Sequence, residues 1–189
     1  ATYKWCDGTD ANMTKYNATD GKTTLEPTDD AATVNWGDDW RMPTKAEMQE
    51  LFDNCTWTEE TRNAVNGYLV TGPNGNSIFM PRAGFYNYDE LGESLQKPNH
   101  SLYYWTNTIY NSGSMNAWDY INAWDLVKNG LWNDNRIMYN TRRLGFPIRP
   151  VYDDRVTLPV IPTPEDAKVS FLCSGYQRAW TGNSIKVDK

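Results

Sequence analysis

The sequence predicts an α+β domain on three observations: a capped amphipathic helix, two alternating runs around a turn, and a long stretch of short, aromatic-rich strands. The helix follows Met42-Pro43, where Thr44 and Glu47 form a T-x-x-E capping box and Met48, Leu51, Phe52 and Cys55 recur at helical spacing. Residues 68–71 (YLVT) and 77–80 (SIFM) alternate across Gly72-Pro-Asn-Gly-Asn76, which predicts a hairpin with a five-residue loop.

The other elements follow from composition along the chain. Residues 1–5 read as the start of a strand. Residues 7–30 are mostly Thr, Asp, Asn and Gly and read as a long surface loop. A short helix is expected next, capped by Thr28, with Asp29 and Asp30 at the positive end of its dipole and Trp36-Gly37 at its end. Between Leu102 and Tyr152, strands are expected near 102–107, 122–127, 130–133 and 146–152, with no helix among them. After Asp153, Pro159, Pro162 and Pro164 within VTLPVIPTPEDAKV mark an extended linker leading to a strand-like piece at 169–173. The expected organisation is a domain over 1–152 and a Pro-rich extension over 153–189.

Eighteen Lys and Arg against 24 Asp and Glu give a net charge of −6, and the pI is near 4.8. Such a balance argues against binding to phosphate backbones or anionic lipid, so nucleic acid is an unsuitable partner. No apolar run is long enough to span a bilayer, and the start, Ala1-Thr-Tyr-Lys-Trp5, lacks a signal-peptide pattern, so the chain reads as a mature fragment. Nine Trp and 12 Tyr stand beside a mean hydropathy of −0.73. Rings in that setting either build a loop-rich core or offer rigid contact area at a binding face.

Cys6, Cys55 and Cys173 contain no C-x-x-C pair, and one His, His100, does not complete a zinc site with them. In an exported protein, Cys6 and Cys55 are expected to join the N-terminal segment to the end of the main helix; in a reducing compartment all three stay thiols.

Several blocks taken together carry a resemblance. They are W-G-D-D-W-R-M-P-T from Trp36 to Thr44, Asn66-Gly-Tyr68, Asn76-Ser-Ile-Phe-Met-Pro81, Ala83-Gly84, Tyr104-Trp105-Thr106 and Gly145-Phe-Pro-Ile-Arg-Pro-Val151. Over roughly residues 3–152 the chain resembles the Fibrobacter succinogenes major paralogous domain, found in surface proteins of gut Bacteroidales. The resemblance implies a C-type-lectin-like fold with two helices, a small antiparallel sheet and a loop-rich ligand-binding face. Within that frame Trp36, Trp40, Trp105 and Trp124 are expected core aromatics, Arg41 is expected to bond carbonyls beneath the helix, and Arg149 to lie in the closing strand. The segment 103–151 resembles the variable region that diversity-generating retroelements rewrite in lectin-fold proteins. On that basis the expected ligand-binding residues are Asn107, Ile109, Tyr110, Asp125, Val127, Asn135, Ile137, Tyr139, Thr141, Arg143 and Leu144.

Other chemistry is disfavoured. Calcium-dependent sugar binding resembles an E-P-N or Q-P-D loop with a W-N-D strand, and here Trp132-Asn133-Asp134 stands without the loop. Formylglycine-generating enzymes resemble a pattern with a cysteine pair that is absent. No nucleophile and base are visible, nor any P-loop or dinucleotide glycine pattern, so neither an enzyme nor a cofactor is expected. The reading is a bacterial surface or secreted adhesin domain, at a pilus tip or on a lipoprotein, recognising a protein or glycan on another cell or on a phage or host surface. The alternative is an assembly module whose extension docks a neighbouring pilus or surface subunit by strand addition.

Overall fold

A computed structural model describes residues 4–6, 12–89, 92–114, 116–129 and 135–153. The described architecture is α+β, with three short helices and four small antiparallel sheets.

The first helix, α1 (Ala31–Trp36), is capped by Asp30 and not by Thr28. The Asp30 carboxylate accepts from the amides of Ala32 and Thr33 and, across the chain, from the amide of Met42 at 2.9 and 3.0 Å. One buried side chain therefore starts α1 and fastens it to strand β1 (Trp40–Arg41), although its burial raises the carboxyl pKa above the ordinary value. Trp36 ends α1 and is 36% exposed, so it is not the core residue expected.

The main helix, α2 (Lys45–Asn54), has the predicted capping box between Thr44 and Glu47. Arg41 adds a bidentate bond to the Glu47 carboxylate at 2.6 and 2.7 Å as well as donating to the Met42 carbonyl. The Arg41 guanidinium, with the Thr44 bonds, holds the Glu47 pKa at about 2 against an ordinary 4.5. A depressed carboxyl pKa means stability fully present above pH 4.5 and lost as pH falls toward 2. Glu47→Gln is therefore expected to flatten the fall of chemical-denaturation stability across that window; an unchanged slope would contradict the pairing.

Two hairpins build the next sheet, in which β2 (Thr56–Arg62), β3 (Val65–Thr71) and β4 (Ser77–Pro81) run in order. The predicted five-residue loop joins β3 to β4, with Thr71 opposite Ser77. The β2–β3 turn is two residues, Asn63 and Ala64, both at positive φ (48° and 63°). Asn tolerates that conformation, whereas Ala bears a Cβ penalty there. Ala64→Gly is expected to add about 1 kcal/mol of stability, read as a Tm rise of about 2–4 °C; a fall would contradict the turn assignment.

A further hairpin, β5 (Phe85–Asp89) with β6 (Gly92–Gln96), is entered through Gly84. Gly84 has φ +69°, and a Cβ there would lie 2.0 Å from the Gln96 carbonyl oxygen, so only glycine fits that crossing. The second three-stranded sheet orders β7 (Leu102–Ile109), β8 (Asn122–Lys128) and β9 (Asn135–Thr141), with helix α3 (Ala117–Tyr120) between β7 and β8. Strand β10 (Val151–Tyr152) returns to pair with β1, placing Tyr152 opposite Trp40.

The β7–β8–β9 sheet is buried on both faces. Tyr103, Trp105, Ile109, Ala123 and Val127 enter one core, organised around Phe146, which stacks on Trp105 at 4.3 Å and also meets Phe85 and Tyr103. Leu102, Tyr104 and Leu126 enter a second core with Met48 of α2, Tyr68, Val70 and Met80. Burying both faces gives the sheet its rigidity.

Three expectations are corrected. Cys55 is a free thiol packed against the second core, Cys6 forms a backbone β-bridge with Met13, and no disulfide joins Cys6 to Cys55. A helix, α3, does form between residues 102 and 152, because Asn116 caps it by accepting from the Asp119 amide. The third strand of this sheet is 135–141, and the final one is confined to 151–152. The expected strand at 130–133, Trp132-Asn133-Asp134, Cys173 and the extension from residue 154 onward lie outside the described residues.

Candidate ligand-binding face

The second-core face of the β7–β8–β9 sheet continues beyond the N-terminus of α2, and there it carries rings instead of a helix. Trp124 on β8 stands opposite Tyr139 on β9, with ring centroids 5.8 Å apart and planes at 88°. Tyr110, just after β7, is held by its amide donating to the Asn122 carbonyl at 3.0 Å. Its ring lies 3.9 Å from Tyr139 and 5.1 Å from Trp124. Trp118 of α3 meets Tyr139 edge-on at 6.0 Å and is 58% exposed. Three half-buried rings thus support a fourth that faces solvent.

The position of Trp118 follows from local chemistry. Tyr120 is fully buried in the first core, and buried Asp119 accepts from the amide and hydroxyl of Ser112 at 3.1 and 2.7 Å. The Asn122 side chain donates to the Trp118 carbonyl at 2.9 Å. A helix of four residues anchored at Asp119 and Tyr120 is left with Trp118 on its outer side.

Charge reaches the rings from α2. The Lys45 ammonium lies 3.4 Å from the Trp124 ring centroid, a cation–π contact, and the Lys45 amide donates to Thr108 Oγ1 at 3.1 Å. Partial desolvation, then the adjacent Tyr139 phenol, raises the Tyr110 hydroxyl pKa above its ordinary 10.0. The Tyr110 phenol therefore stays neutral at physiological pH, and a phenol hydroxyl can donate or accept. The arrangement offers stacking surface, two hydroxyls and one cation; it contains no nucleophile paired with a base.

Of the residues expected from sequence, Tyr110 and Tyr139 come together here. Thr141, two residues beyond Tyr139 and opposite Asn122, is half-buried on the same face of β9. Arg143 is exposed in the turn that follows. Asn135 pairs with Lys128 at the far end of β9.

Six expected residues have other places. Ile109 and Val127 are 3% and 0% exposed within the first core, so they are not surface contacts. Asp125, fully buried, accepts from the Asn140 amide nitrogen at 3.0 Å. Asn107 is buried where β7 bulges, its backbone bonding Pro43 and Leu25. Ile137 packs against the second core and Leu144 against the first, with the Leu144 carbonyl accepting from Trp105 Nε1. For Ile109, Asp125 and Val127 the physical reason is shared: β7 and β8 pack the first core on the face these residues occupy, so alternation does not bring them to solvent.

Lys45, Trp118 and Trp124 were not expected in the face. The available signal for Trp118 was Asn116 followed three residues later by Asp119, a cap-like spacing that fixes a turn of helix beneath it.

Among the described residues, no three His, Cys, Asp or Glu side chains gather to hold a metal ion, and no helix is long and apolar enough to cross a membrane. No protein-family model matches the chain, and neither a curated protein nor a solved structure matches it.

Proposed function

We propose that this chain is a ligand-binding domain, an adhesin secreted by or displayed on a bacterial cell, whose contact face is the Tyr110, Trp118, Trp124 and Tyr139 ring cluster. The observation that carries the reading is Trp118, a large ring 58% exposed and set edge-on against Tyr139, which itself packs on Tyr110 and Trp124. An exposed indole set within a cluster of aromatic rings has the composition of a recognition hot spot.

All four rings come from the segment 103–151, which supports its role as the displayed surface. The fold we infer at the finer level is C-type-lectin-like, supported by three short helices, small antiparallel sheets and long irregular connections. Membership of the Fibrobacter succinogenes major paralogous domain family rests on the sequence blocks around Trp36–Thr44 and Gly145–Val151. If retroelement diversification acts on this gene, substitutions in the source population fall at Tyr110, Tyr139, Thr141 and Arg143 and spare buried Trp105, Leu126 and Val127.

Ligands of either class suit the face. Rings grip the C–H faces of sugars, with phenols and Lys45 meeting hydroxyls, and the same rings make protein hot spots. The test is a screen of the full chain against an array of defined oligosaccharides and purified cell-surface ectodomains. Saturable binding abolished by Trp118→Ala with Tyr139→Ala supports the face; binding untouched by that double substitution overturns it.

A further inference from the structure

We propose that the Pro-rich segment of this same chain, residues 157–164 (TLPVIPTP), docks on a second ring cluster formed by Trp36, Trp40 and Tyr152. These rings come from α1, β1 and β10 and form a ladder. Trp36 meets Trp40 at 5.4 Å and 87°, and Trp40 meets Tyr152 at 5.4 Å and 87°. Trp36 is 36% exposed, and the other two are half-buried.

The ladder is held in place by backbone. Trp40 and Tyr152 are the β1–β10 register pair, the Asp153 amide donates to the Asp39 carbonyl at 2.7 Å, and Arg41 pairs with the Asp153 carboxylate at 3.6 Å. Asp30 fixes the start of α1 to Met42, which limits where Trp36 sits. Asp153, the last described residue, therefore sits at the end of the ladder, just before the Pro-rich segment in sequence.

Trp36, with half-buried Trp40 and Tyr152 beside it, presents adjoining aromatic surface, and aromatic surfaces are the standard receptor for polyproline II segments. The segment contains Pro159-Val-Ile-Pro162, with Pro164 beyond. A polyproline II helix has three residues per turn and rises about 3.1 Å per residue, so Pro159 and Pro162 share one ridge about 9 Å apart. Five residues separate Asp153 from Pro159, a tether of up to about 20 Å. So short a tether gives an effective concentration in the millimolar range, which favours the chain's own segment over that of another copy. Proline ordering is already paid in part by the restricted backbone.

The experiment uses the full chain with 15N-labelled tryptophan and follows the indole N–H signals. Pro159→Ala with Pro162→Ala is expected to shift the Trp36 and Trp40 signals and leave Trp57 and Trp105 in place. A synthetic peptide of residues 155–166, added to that variant, is expected to return both signals toward their wild-type positions. Unmoved Trp36 and Trp40 signals overturn the proposal. If Trp57 and Trp105 move as well, the peptide decides: recovery supports docking, and no recovery overturns it. Wild-type Trp36 and Trp40 positions that change on twentyfold dilution assign the occupant to another copy and overturn docking within the chain.

Discussion

Trp118→Ala is expected to weaken binding of any ligand identified for this domain at least 30-fold while leaving its Tm nearly unchanged. A central, packed tryptophan in a contact face commonly contributes about 2 kcal/mol or more, which is about 30-fold in Kd. The ring is 58% exposed in the unliganded domain and its fixed neighbours, Asp119 and Tyr120, are held by their own buried contacts. Truncating an exposed side chain of this kind changes stability by about 0.5 kcal/mol or less. Isothermal titration with thermal denaturation of the same samples checks both halves. Wild-type affinity in the variant would remove Trp118 from the site, and a large Tm loss would make it a structural residue.

The largest expected stability effect is at Arg142, which is 1% exposed. Its guanidinium donates to the carbonyls of Tyr16 and Lys15 at 3.0 and 3.2 Å and contacts the Met13 sulfur at 2.7 Å. The residue thereby fixes the N-terminal loop to the end of β9. Arg142→Met conserves much of the volume but leaves two carbonyls without those donors, each costing about 1–3 kcal/mol. A loss of about 3 kcal/mol is expected, or about 6–12 °C in Tm for a chain of this size. Hydrogen exchange is expected to accelerate first at residues 12–20. A Tm within 1 °C of wild type would contradict this role.

Around that loop the charges form a second fastening. Lys15 bonds Glu26 and Asp29, each at 2.5 Å, and the Tyr16 hydroxyl donates to Asp29 at 2.6 Å. Burial, then the bond to Asp29, pushes the Tyr16 pKa up to about 12. Residues 7–30 looked like open loop in sequence because their partners are remote: Tyr16 packs in the first core and Arg142 lies 126 residues away.

What could be read from sequence was what local rules govern. The α2 capping box and the β3–β4 hairpin are set by neighbours within a few residues, and both appear where their patterns placed them. The cap of α1 moved from Thr28 to Asp30 because Asp30 also satisfies the Met42 amide, a contact that no local pattern encodes. Strand β2 (TWTEETR) escaped notice because most of its side chains face water and leave no apolar alternation. The candidate face was legible through Tyr110, Tyr139 and Thr141. The resemblance to a variable region put Asp125 and Val127 on it, yet both are buried in β8, and only the β7–β8–β9 context reveals that. Lys45 joins the face through a long-range approach of the α2 start to Trp124.

The measurement that most directly tests the central claim is titration of a bound oligosaccharide or ectodomain into 15N-tryptophan-labelled full chain. The account predicts that the Trp118 and Trp124 indole signals shift in proportion to occupancy while Trp57 and Trp105 stay fixed. Saturable binding that leaves Trp118 and Trp124 unmoved would place the ligand elsewhere and contradict the assignment of this face.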